Sequence, residues 1–107
     1  MVPEISPKDA HQRLSAAPDQ VTLLDVRQDV ELKLCRIAGA THIPMNDIPA
    51  RLGELDKQRE IIVHCHKGGR SYRVAAFLIE QGFTNVKNLS GGIDGWAVDV
   101  DPKLARY

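Results

Sequence analysis

Residues 60–82, EIIVHCHKGGRSYRVAAFLIEQG, constrain the fold more than any other stretch of this chain. The β-branched, aliphatic run Ile61–Ile62–Val63 reads as a strand, and it passes through Cys65 into a turn with two adjacent glycines, Gly68 and Gly69. From Ser71 the apolar positions Val74, Ala75, Leu78 and Ile79 recur at helical spacing, Arg73 and Glu80 fall elsewhere, and Gly82 is placed to end the helix. A strand that turns directly into an amphipathic helix is half of a crossover unit, and such units build parallel sheets.

The remaining sequence repeats that alternation. Ser6, Pro7 and Asp9 form a helix start: a capping hydroxyl, a proline where no N–H is needed and an acid in the first turn. This helix is expected to run to about Ala16 and to stop before Pro18. VTLLDV, residues 21–26, suits a strand buried on both faces, and a helical turn is expected within QDVELKL, residues 28–34. ATHIP, residues 40–44, is a brief strand ended by Pro44; Asn46 or Asp47 is then expected to cap a helix with Pro49 in its first turn. NVKNL, residues 85–89, makes a further strand, GGIDGWAVDV a short closing helix, and DPKLARY a tail. The expectation is an α/β fold: an open parallel sheet of four to five strands with helices on both faces, in a single domain over residues 1–107. Ligands of such sheets sit outside the carboxyl ends of the strands, and Cys65 lies at one such end.

Charge narrows the function classes. Among 107 residues, 14 are basic and 14 acidic with neither sign in a long block, so no nucleic-acid or membrane surface is expected. Glu4, Lys8 and Asp9 fall where an export signal would need an unbroken apolar core, and the longest apolar run, Val74–Ile79, is far short of the roughly 20 residues a bilayer span needs. A soluble, cytoplasmic protein with Cys35 and Cys65 as free thiols is the expectation.

Cys65 could be a buried packing thiol, a metal ligand or a nucleophile. HCH, residues 64–66, does not favour a metal: adjacent strand residues point to opposite faces, and no second ligand cluster has zinc-like spacing. The loop HKGGR favours the nucleophile. Its glycines can turn successive N–H groups inward, the following helix adds its free N–H groups and positive dipole end, and Lys67 and Arg70 add charge. A thiol in that cradle should ionise more readily, and an anionic substrate would be held there.

These residues resemble a known family. CHKGGRS, residues 65–71, matches the CxxGxRS loop of rhodanese-type sulfurtransferases, and LLDVR (23–27), Glu31 with RIAGATHIP (36–44) and LSGGIDGW (89–96) match in the same order. The resemblance implies that Cys65 takes a sulfane sulfur from a donor such as thiosulfate, becomes a persulfide and passes the sulfur to a thiophilic acceptor. It implies a substrate cradle of His66, Lys67, Gly68, Gly69, Arg70 and Ser71 and no cofactor. Asp25 and Arg27, at the carboxyl end of the VTLLDV strand, are expected to form a supporting ion pair that fixes the loop's geometry.

The chain departs from the family pattern twice: Cys35, Arg36 and Ile37 stand where relatives read Gly-His-Ile, and His64 precedes Cys65 in place of tyrosine. The closing stretch 91–107 more narrowly resembles the rhodanese domain of enzymes that adenylylate and thiolate sulfur carrier proteins. A sulfur carrier protein or a cysteine desulfurase is therefore an expected partner beside the small sulfur donor, thiosulfate or a persulfide. A cysteine phosphatase is disfavoured, since such enzymes resemble Cys-x5-Arg and here Arg70 comes one residue earlier; a non-catalytic interaction module is disfavoured by the complete loop. His66 is expected to be exposed and solvated, His11 to lie on the surface, His42 on a strand, Cys35 to be half-buried and structural, and Trp96 to lie in the core.

Overall fold

In the computed structural model, which describes residues 1–107, the run EIIVH forms the middle of the sheet because it is apolar on both faces. Ile61, Ile62, Val63 and His64 are each wholly buried. Burying an aliphatic side chain of that size contributes about 1.5–3 kcal/mol, which makes this strand the one least able to sit at an edge. The strands are β1 (Glu4–Ile5), β2 (Val21–Asp25), β3 (Thr41–His42), β4 (Glu60–His64) and β5 (Val86–Leu89); the helices are α1 (Pro7–Ala16), α2 (Asp29–Leu32), α3 (Gly69–Glu80) and α4 (Gly92–Asp99). The sheet has the order β1-β5-β4-β2-β3 and every pairing is parallel. This is the expected open α/β architecture.

Period-two alternation divides the core between two layers. Leu24 and Val26 from β2 and its extension, Ile61, Val63 and Cys65 at β4, and Val86 of β5 face α3, packing on Val74, Ala75 and Leu78. Val21, Leu23, Ile62 and Leu89 face the other way, toward Ala10 of α1 and Ile93 and Trp96 of α4. Cys65 and Cys35 consequently belong to opposite layers, and both are free.

The structure corrects or extends the local expectations at several points. The sequence carries no signal for β1: two residues have no periodicity, and the strand exists because Glu4 and Ile5 find Asn88 and Leu89 of β5. MNDIPARLGEL forms two 3₁₀ segments, Met45–Asp47 and Pro49–Glu54, with no side-chain cap from Asn46 or Asp47. Helix α3 begins at Gly69, two residues before Ser71, because Gly68 takes φ +115° and so starts the helical turn earlier. Of the two loop glycines only Gly68 has positive φ. The last residues form a tail with neither helix nor strand, and it is tied down: Arg106 makes two bonds to Asp94, at 2.8 and 3.1 Å, and Tyr107 packs on the loop after β4. Elsewhere Ser6 caps α1 through Asp9 N–H at 3.1 Å, as its spacing predicts. No helix is long and apolar enough to cross a membrane.

Candidate functional site

Parallel pairing gathers three strand ends on one edge. Asp25 pairs in register with His64, and Val63 with Asn88, so the segments leaving β2, β4 and β5 emerge side by side. Cys65 is the first residue beyond β4 and only 1% exposed. Its sulfur accepts the Gly68 N–H at 3.1 Å and lies 3.4 Å from the Ser71 hydroxyl.

The loop is also held from behind. The first turn of α4 donates Ile93 N–H to the Cys65 carbonyl (2.9 Å) and Asp94 N–H to the His66 carbonyl (3.1 Å). Gly92, at φ +60°, lets the two backbones meet: a side-chain carbon there would lie 2.5 Å from the His66 carbonyl oxygen. Carbonyls tied to α4 leave the N–H groups of the same loop free for the sulfur. Burial pushes the Cys65 thiol up, but hydrogen bonds to the ionised sulfur, from the Ser71 hydroxyl when its proton turns that way and from the Ser71, Gly68 and Lys67 N–H groups, outweigh it, and the net direction is down.

The charged residues are arranged differently from the sequence expectation. Arg70 does not point its full charge into the cradle: Nη1 and Nη2 bind Glu31 of α2 at 2.6 and 2.9 Å. That bidentate pair, with burial opposing and Tyr107 assisting, holds the Glu31 carboxyl down at about 2. The Lys67 side chain is exposed, so the loop's contribution at the sulfur is carried by backbone N–H. His66 is not solvated. Its ring is stacked on Tyr107 (centroids 3.9 Å apart, planes 8° from parallel), and its Nε2 is buried without a partner.

Asp25 and Arg27 form a fully buried pair, Nη2 to Oδ2 at 2.7 Å and Nε to Oδ1 at 3.0 Å. Burial raises the Asp25 carboxyl, and the Arg27 and His64 partners bring it below the ordinary range. Arg27 spends its other donors on α2, the loop after it and the chain end: Glu31 O at 3.4 Å, Cys35 O at 2.9 Å and Tyr107 Oη at 3.1 Å. The pair thus braces α2 and the C-terminal residues, and neither member touches the Cys65 sulfur. His64 is wholly buried; burial lowers its pKa against the pull of Asp25, whose carboxylate is 3.7 Å from Nε2. His64 Nε2, like that of His66, has no hydrogen-bond partner.

Sequence reasoning missed Tyr107 and Asn88. Tyr107 Oη donates to Glu31 Oε2 at 2.6 Å, and burial together with Glu31 pushes its phenol up to about 12 against the opposing effect of Arg27. A terminal aromatic beyond the last helix has no periodicity to reveal it. Asn88 alternates with Val86 on the α3 side of β5; a polar residue at a buried strand position was the available signal.

The sequence model of the Rhodanese-like domain family matches residues 6–99. A sulfurtransferase of Allochromatium vinosum is 41% identical over 97 residues, spanning 91% of this chain and 90% of its own. The thiosulfate sulfurtransferase GlpE of Glaesserella parasuis is 33% identical, over 87% of this chain and 84% of that protein. Among solved structures, SSP1007 of Staphylococcus saprophyticus is similar with a TM-score of 0.81 and 32% identity, covering 98% of this chain and 100% of that one.

Proposed function

The chain belongs to the rhodanese-like domain family, and from that premise we propose that it is a sulfurtransferase working through a persulfide on Cys65. Residues 1–107 act as one domain in this reading. The observation that carries it is the Cys65 sulfur at the mouth of a loop whose Lys67, Gly68 and Ser71 N–H groups all favour its ionised form. These donors are fixed in place before any reaction, so they stabilise negative charge on sulfur without reorganising.

With thiosulfate as donor, the Cys65 thiolate attacks the outer, sulfane sulfur. A new S–S bond forms to Cys65, the bond to the sulfonate sulfur breaks, and sulfite leaves with its electron pair. The negative charge then resides on the terminal sulfur of the persulfide, within the same N–H cradle. A thiophilic acceptor, cyanide in an assay or a thiol in the cell, attacks that terminal sulfur and returns Cys65 as thiolate. Two half-reactions through one covalent intermediate give ping-pong kinetics. Arg70, with its charge shared by Glu31, sets the electrostatics at the loop's edge without binding the sulfur. His66, Lys67, Gly68, Gly69 and Ser71 complete the cradle, while Asp25 and Arg27 hold it in shape from beneath.

A sulfur carrier protein fits the acceptor role, given the resemblance of residues 91–107 to domains that serve such carriers; a cysteine desulfurase fits the donor role. The proposed setting is the cytoplasm, where both free thiols stay reduced. Intact mass after thiosulfate treatment tests the proposal: the parent protein should gain one sulfur atom and Cys65→Ser none. Failure of the parent to gain sulfur, or an undiminished gain in Cys65→Ser, overturns it.

A further inference from the structure

Ser71 has one hydroxyl proton and three acceptors within reach: Asn88 Oδ1 at 2.5 Å, Gly68 O at 3.2 Å and Cys65 Sγ at 3.4 Å. The partners of Asn88 decide between them. Its Nδ2 faces two groups that can only accept, Glu4 Oε2 at 2.9 Å and Gly68 O at 3.2 Å, so the amide cannot turn its nitrogen toward Ser71. Oδ1 therefore faces Ser71 and requires a donor. The Ser71 proton points at Asn88, and an Oγ lone pair faces the sulfur.

We propose that Asn88 is a positioning residue for Cys65: it keeps the Ser71 proton turned away from the sulfur, favouring thiol and sulfur-loaded cysteine over the bare thiolate. This rests on the reading of Cys65 as the sulfur-accepting residue. In the thiol state the chain of bonds is complete, S–H to Ser71 Oγ and Ser71 O–H to Asn88 Oδ1. In the bare thiolate the proton must turn to sulfur, which strips Asn88 Oδ1, in a residue 3% exposed, of its donor. In the persulfide Sγ carries neither proton nor formal charge, so Ser71 stays with Asn88 and no bond is lost. The Ser71 contribution to Cys65 ionisation and the Asn88 bond draw on the same proton.

Fold geometry supplies the contact. Asn88 stands opposite Val63 of β4 and Glu4 of β1, beneath the first turn of α3. The other charged or titratable groups around the loop are Arg70 of α3, Glu31 of α2, His64 at the end of β4, the Asp25–Arg27 pair, His66, Lys67, Tyr107 and, from α4, Asp94 with its partner Arg106. All of these stay unchanged in the variants below.

The test is alkylation of Cys65 by iodoacetamide across pH, followed on the Cys65 peptide by mass spectrometry, in the intact chain. Asn88→Leu removes the competing acceptor. At a fixed pH below the thiol's titration it should raise the thiolate fraction roughly tenfold, as expected for a hydrogen bond gained by a charged group. In a Ser71→Ala background the same substitution should change nothing. Glu4→Gln at the exposed end of β1 is a second, gentler variant; it weakens the pull on the Asn88 amide and should give a smaller rise that is likewise lost with Ser71→Ala. No rise in either variant, or an equal rise with and without Ser71, overturns the proposal. Alkylation needs no sulfur donor, so this result is independent of whether thiosulfate loads Cys65.

Discussion

Both ends of the same parallel sheet carry a carboxylate clasped by cationic groups, and only one end carries the Cys65 loop. At the amino end Glu60, 5% exposed, accepts from Arg13 Nη2 and Lys87 Nζ, each at 2.7 Å, and so ties α1 to β4 and β5. Burial raises the Glu60 carboxyl; Lys87 and Arg13 overcome that and bring it below its ordinary value. At the carboxyl end Asp25 and Glu31 hold Arg27 and Arg70 in much the same way. The difference lies in the backbone. In a parallel sheet the helices that follow strands begin at the carboxyl end, so the free N–H groups of α3 and α4 collect there. The carbonyl ends of α1 and α3 point to the opposite edge, where a thiolate would be repelled.

Arg27, wholly buried, also differs from the part-exposed Arg13 and Lys87, and that difference can be broken or sharpened by mutation. The largest effect is expected from Arg27→Met, which leaves the Asp25 carboxylate buried without its partner and should cost about 3–5 kcal/mol in urea denaturation. Glu60→Gln should cost only about 1 kcal/mol, because Arg13 and Lys87 reach solvent and rehydrate. Equal costs at the two ends would erase the contrast. Next comes Tyr107. Tyr107→Leu should lose about 1 kcal/mol from the stack on His66 and slow sulfur loading, whereas Tyr107→Phe keeps the stack and should retain most of both. If Phe and Leu behave alike, the hydroxyl bonds to Glu31 and Arg27 matter more than the ring.

The remaining effect is in acid. Glu31 titrates at about 2 in the folded chain against an ordinary 4.5, so its contribution is complete above 4.5 and is lost as pH falls through about 2. The urea midpoints of the parent and Glu31→Gln should accordingly converge as pH is lowered from 6 toward 3. Midpoints that stay equally far apart would mean that the charge of Glu31 is not what stabilises the loop edge.

How far the sequence announced all this depended on whether a residue's role was local. β4, the glycine loop and α3 were legible because apolar period, glycine and helix spacing are written within a few residues. The Asp25–Arg27 pair was legible as two opposite charges at the carboxyl end of a strand. β1, Tyr107 and the Glu31 partner of Arg70 were not legible as structure, since each takes its place from a group 39 to 84 residues away. Arg70 looked like a free charge for that reason, and His66 looked solvated because nothing near it in the chain predicts an aromatic partner. The segment after Pro44 reads as a helix by its residue types, yet Arg51, at φ −117° and ψ 18°, interrupts it and leaves only 3₁₀ turns.

Helix α4 makes no hydrogen bond to the Cys65 sulfur, yet its amide at Asp94 grips the His66 carbonyl, and the other side of that same peptide group is the Lys67 N–H that favours the thiolate. A carbonyl that accepts a hydrogen bond polarises its own peptide unit and sharpens the donor across it. The peptide between residues 66 and 67 therefore works as an electrostatic relay. It carries the positive end of α4, a helix that begins twenty-six residues further along the chain than His66, to an atom that helix never meets.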